Sequence, residues 1–151
     1  TNLIKQKIHL QTEVLQKKKP QRIDHPLFVI FLPENEIHEL GVLYLNYLIL
    51  SSGYRTIFLG QSLQTSSLET LYSYNSKFYF VSYLTVEPNK EEIMPFLKHF
   101  YSSLLENRDS RLLIFGPQQI EIDTDNLPPQ IELFRSVESF IAKYLEEIVF
   151  V

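Results

Sequence analysis

The 151-residue chain is predicted to fold as a doubly wound α/β domain: a flavodoxin-like, Rossmann-type sheet of five parallel strands in the order 2-1-3-4-5, preceded by a connector helix. Two observations predict it. Short apolar runs suited to buried strands alternate five times with longer segments of helical periodicity, and parallel neighbours need such crossover helices, which then cover both sheet faces. The composition, 44% hydrophobic with 21% charged, fits one packed domain that buries about 70% of the surface its unfolded chain exposes.

Each element has its own reason. Residues 2–18 set Leu3, Ile4, Ile8, Leu10, Val14 and Leu15 at roughly helical spacing and end in Lys17-Lys18-Lys19-Pro20, where lysines complement the dipole of a last helical turn. Polar, proline-broken residues up to Pro26 mark a boundary, which gives a connector helix and linker over 1–25 and a folded domain over 26–151. Leu27 to Leu32 is a continuous apolar strand, followed by a helix from about His38 to Ser52 that Gly53 ends. Arg55 to Leu59 is the second strand. Ser66-x-x-Glu69 reads as a capping box opening the next helix, and Phe78 to Tyr83 is an aromatic strand. Asn89-x-x-Glu92 opens a helix running to about Asn107, with Pro95 placed to shift its start or bend it. Arg111 to Phe115 is the fourth strand and Glu132 to Arg135 the fifth, reached through Pro128-Pro129. A last helix, Val137 to about Glu147, buries Phe140, Ile141, Tyr144 and Leu145.

Charge and composition exclude several functions. Residues 1–22 hold six Lys or Arg against Glu13 alone, leaving eight against seventeen acids afterwards, so the body is acidic and makes no case for gripping nucleic acid. Zero cysteines remove disulfides, thiolate metal sites and cysteine nucleophiles. The longest uncharged apolar run, Leu40 to Leu50, is too short to span a bilayer, and no export signal is visible. A cytoplasmic protein without membrane contact is expected.

In this strand order the chain reverses direction between strands 1 and 3, and ligands bind where such a reversal opens a crevice at the carboxyl ends. The loops there carry Glu36, His38 and Gly41 after strand 1, Ser82 to Leu84 at the end of strand 3, and Gly116-Pro117 after strand 4. A neutral imidazole is a good transition-metal ligand, and a carboxylate two residues earlier can hold its other nitrogen and fix the tautomer. A glycine early in the helix lets a planar ligand lie close to the backbone. The other candidates are plainer: His9, His25 and His99 have no second metal-type residue at useful spacing, Tyr44, Tyr47, Tyr79, Phe80 and Tyr83 read mostly as packing, and Glu121, Asp123 and Asp125 read as a solvated loop. Four glycines make no phosphate-cradling loop, and Ser82 has no nearby base.

Glu36-x-His38-x-x-Gly41, then Ser82-x-Leu84, then Gly116, on successive loops, resembles the cobalamin-binding domain, whose signature is Asp-x-His-x-x-Gly, Ser-x-Leu and a Gly-Gly pair. The likeness covers residues 26–148 and includes Phe58-Leu59-Gly60. It is most similar to the C-terminal sensory domain of MerR-type cobalamin-dependent regulators. The resemblance implies a cobalamin cofactor, adenosylcobalamin among its forms, with His38 as lower cobalt ligand in place of the nucleotide base and Glu36 orienting it. It further implies that Ser82 bonds the buried base, while Gly41, Leu84, Gly116 and Pro117 shape a slot for the nucleotide tail.

By that resemblance the chain is a corrinoid-binding sensory domain and not an enzyme, meeting DNA only through an upstream domain that it does not contain, with a homo-oligomer among the assemblies it allows. The alternatives are a corrinoid subunit of a methyltransferase or mutase, or a domain that kept the fold as an oligomerisation module. Three departures stand out: Glu36 replaces aspartate, Pro117 replaces the second glycine, and Thr85-Val86-Glu87-Pro88 stands where relatives extend the histidine relay with a hydroxyl. Pro117→Gly is expected to tighten binding by admitting the tail. Ligation needs neutral imidazole, so affinity is expected to fall below about pH 6, where histidines in general take up a proton.

Overall fold

The computed structural model describes residues 2–17 and 26–145. The elements are α1 (Asn2–Gln16), β1 (Leu27–Pro33), α2 (Leu40–Ser51), β2 (Thr56–Leu63), α3 (Thr65–Glu69), β3 (Phe78–Tyr83), α4 (Ile93–Phe100), β4 (Arg111–Phe115), β5 (Ile131–Leu133) and α5 (Val137–Tyr144). All strand pairs are parallel and the order is β2-β1-β3-β4-β5, as the sequence predicts. Lys18, Lys19, the linker with His25, and the end of the expected last helix lie outside the described residues.

Side chains alternate across each strand and so divide the core in two. Val29, Phe31, Phe78, Phe80, Leu112 and Ile114 face α3 and α4. On the other face, Phe28, Ile30, Val81, Leu113 and Phe115 meet Val42, Leu45 and Ile49 of α2 and Phe140 of α5. Helix α2 is apolar almost all round, and its position explains this: the sheet covers one side and α1 packs on another. The covered side of α1 carries Ile8, Thr12 and Leu15, while Leu3, Ile4, Leu10 and Val14 stay exposed. In α5, Phe140 is buried and Ile141 and Tyr144 only half so, and Leu145 just after it is buried; the Tyr144 hydroxyl donates to Glu132 Oε1 at 2.6 Å and ties α5 to β5.

Strands β3 and β4 run over the residues expected, whereas several other boundaries move. Helix α2 begins at Leu40, leaving His38 in the preceding loop. The capping box at Ser66 does not form, because α3 starts at Thr65 with Gln64 as its cap and Ser66 already lies inside the helix. Asn89 Oδ1 accepts the Glu92 N–H at 3.0 Å and caps a turn that precedes α4; Pro95 then falls at the third position of α4, where no intrahelical donor is lost. A π-helical turn, Tyr101–Leu105, carries the chain on from α4. Pairing of β5 begins a residue early, since Leu112 N–H donates to Gln130 O at 2.9 Å, and the strand stops at Leu133.

Candidate functional site

Strand β1 ends in a turn that decides the site. Glu36 N–H donates to Pro33 O at 3.1 Å, and Asn35, a residue that tolerates the left-handed region, takes φ 72° there. This turn directs Glu36 into the protein, where it is fully buried. Its Oε1 accepts the backbone N–H groups of Thr85, Val86 and Glu87 at 2.9, 2.7 and 3.0 Å. Its Oε2 accepts the His38 N–H at 3.0 Å and meets His38 Nδ1 at 2.8 Å. The loop after β3 thus closes on the loop after β1 through one carboxylate.

The charge on that carboxylate follows from its partners. Burial alone pushes the Glu36 carboxyl up, but the N–H groups of Val86, His38 and Glu87 and the His38 ring outweigh it and hold the pKa down, at about 2. An ionised carboxylate only accepts hydrogen bonds, so it selects the tautomer in which Nδ1 carries the proton. In the neutral ring the lone pair is then on Nε2. The His38 side chain is 55% exposed, so that nitrogen is available to a ligand. Among the described residues no group of three or more His, Asp or Glu is placed to hold a metal ion.

The remaining predicted residues gather at the same sheet edge but not on one face. Ser82 is fully buried and donates to Phe31 O at 2.7 Å. Leu84 packs in the α3–α4 layer. Gly116 has φ 101° and lies so close to Leu84 that a Cβ would stand 2.4 Å from its carbonyl oxygen. Pro117 opens a 3-10 turn, Pro117–Glu121. Gly41 lies on the opposite side, in the first turn of α2, with the Tyr83 ring against it: a Cβ on Gly41 would be 2.5 Å from Tyr83 Cγ.

Several participants escaped the sequence reading. The amides of Thr85 to Glu87 act through the backbone, so residue type gave no sign of them. Exposed apolar side chains stand on each of the three loops: Ile37 after β1, Val86 after β3 and Ile120 after β4 are 64%, 51% and 83% exposed. Gln119 donates its Nε2 to Gly116 O and Phe134 O, both at 2.9 Å, leaving its Oε1 buried without a partner. His9 and His99 are exposed on α1 and α4.

These features define a doubly wound domain with a carboxylate-held imidazole at its topological switch point. No protein-family model matches the chain, and no curated protein matches its sequence. Among solved structures it is similar to the monomethylamine corrinoid protein of Methanosarcina barkeri, at 14% identity and a TM-score of 0.65 over 92% of this chain and 64% of that one. It is also similar to a cobalamin-binding protein from Desulfitobacterium hafniense DCB-2, at 13% identity and a TM-score of 0.56 over 83% of this chain and 60% of that one. The chain thus spans less than two thirds of either. At these identities the likeness establishes the fold.

The residues present fit a corrinoid at one end of the site. His38 offers a ring that is 55% exposed, and Ile37, Val86 and Ile120 offer apolar surface to a flat macrocycle. The fit to a nucleotide tail is poor, because the space beside Gly41 is filled by Tyr83.

Proposed function

We propose that the chain is a corrinoid-binding module in which His38 Nε2 serves as the lower axial ligand of cobalt. The observation that carries this reading is the Glu36–His38 pair: a buried, ionised carboxylate 2.8 Å from Nδ1 with the ring half out in solvent. The folds of a corrinoid protein and a cobalamin-binding protein support the reading. Glu36 orients the ring and holds the proton on Nδ1, the amides of 85–87 fix Glu36, and the three apolar side chains exclude water from beneath the macrocycle. An alkylcorrinoid, when bound, would supply a cobalt–carbon bond whose state a protein can sense or use.

Within this class we favour a sensory domain of a MerR-type regulator, not itself an enzyme. Glu36 stays ionised down to about pH 2, and its outer oxygen faces only backbone amides, so this path passes no proton to solvent. That suits a module holding its ligand in one state. The second reading, a corrinoid carrier for a methyltransferase, is favoured by the likeness to the monomethylamine corrinoid protein, which covers 92% of this chain.

Absorbance titration of the purified chain with cobinamide, hydroxocobalamin, methylcobalamin and adenosylcobalamin tests the common claim. A spectrum of histidine-ligated corrinoid is expected from the wild type and not from His38→Ala. Loss of all colour on dialysis of the wild type would overturn it.

A further inference from the structure

We propose that Tyr83 is a specificity-determining residue whose ring occupies the space beside Gly41, so that the site takes corrinoids lacking a nucleotide tail in preference to complete cobalamin. The inference rests on the corrinoid reading above and adds the class of ligand.

The geometry is that of a plug. Gly41 is the second residue of α2, and the missing Cβ there leaves room that a ligand could use. That room is taken: an ideal Cβ would lie 2.5, 2.6 and 2.8 Å from Cγ, Cδ2 and Cδ1 of Tyr83, so the ring rests on the helix backbone itself. Strand register fixes the ring in this place. Tyr83 pairs with Phe115, and alternation with Ser82 puts both aromatics on the α2–α5 face, against the core cluster that faces those helices. The strand cannot turn the residue to the other face without a register slip.

The neighbouring routes are used by the protein as well. The space beside Gly116 belongs to the Leu84 backbone, and the Ser82 hydroxyl donates to Phe31 O. Beyond the ring lies a groove of about 560 Å³ that Tyr83, Phe115, Gly116, Pro117, Gln119 and Val137 help to line and Gly41 does not. Tyr83 lines that groove while its ring lies against the backbone of α2 at Gly41. An aromatic ring and a nucleotide base of similar size cannot share one slot, whereas a corrin ring resting on His38 and the outer loops needs none of this space.

The test compares two ligands that differ in the tail, hydroxocobalamin and diaquacobinamide, by absorbance titration of the wild type, Tyr83→Ala and Tyr83→Phe. Tyr83→Ala is expected to tighten hydroxocobalamin by about ten-fold or more while cobinamide stays within about two-fold, and Tyr83→Phe, which keeps the ring, should match the wild type. Tyr83→Val also removes the ring and keeps a good strand former, so it serves if the alanine variant fails to fold. Equal changes for both ligands, or none for hydroxocobalamin, would overturn the assignment. A gain from Pro117→Gly with none from Tyr83→Ala would move the block to the proline and would likewise overturn it. If the wild type binds neither ligand, the corrinoid reading itself fails; if it binds both through His38 and the Tyr83 variants change nothing selectively, only the inference about the tail fails.

Discussion

Glu36 joins two loops and one imidazole through a single carboxylate, and its charge is the most consequential in the molecule. The folded-state pKa is about 2 against an ordinary 4.5, so the ionised form is favoured by folding. Its contribution, about 3 kcal/mol, is fully present above the unfolded value and is lost as the pH falls through the folded one. Glu36→Gln puts an amide N–H against backbone donors, and we expect it to destabilise by about 2 kcal/mol or more at pH 7. Urea unfolding of both proteins checks this. The difference should shrink to about half by pH 3, and a difference independent of pH would contradict the assignment. The sequence revealed the Glu36–His38 pair because both groups act through side chains at fixed spacing. It did not reveal why glutamate stands where aspartate was expected: the longer arm reaches the amides of 85–87 as well as the ring, and backbone donors leave no mark on residue type.

At the scale of elements, two glycines hold the site's loops in place for different reasons. Gly116 has φ 101° and contacts the Leu84 backbone, so Gly116→Ala is strained and clashing and should cost about 3 kcal/mol or more. Gly41 is helical, where alanine ordinarily stabilises by up to about 1 kcal/mol, so any loss there comes from Tyr83. Gly41→Ala is expected to destabilise the wild type yet to be neutral or stabilising in a Tyr83→Ala background. Thermal unfolding of the four proteins gives the coupling, and additive effects would show that ring and helix do not compete. Strands β3 and β4 were legible to the residue because they are apolar runs between clear breakers. Helix starts were less so: Ser66 and Asn89 both offer capping chemistry, but Gln64 opens α3 and Asn89 caps only the turn before α4. Tyr83 read as packing for a similar reason, since one aromatic in an aromatic strand gives no hint of the glycine it rests on.

Over the whole molecule, the alternation of strands and helices was enough to give the five-stranded order and the edge where the site lies, because parallel strands leave few other arrangements. What alternation could not give was how α1 sits. It packs on α2, which accounts for the apolar outer side of that helix. No helix among the described residues is long and apolar enough to cross a membrane. The central claim concerns a single bond from His38, and paramagnetic resonance reads that bond directly. In protein loaded with cob(II)inamide, which brings no nucleotide nitrogen of its own, coordination by His38 splits each cobalt line into a triplet. The triplet becomes a doublet when the histidines carry nitrogen-15, and it vanishes in His38→Ala. Unsplit lines from the wild-type protein would contradict the account.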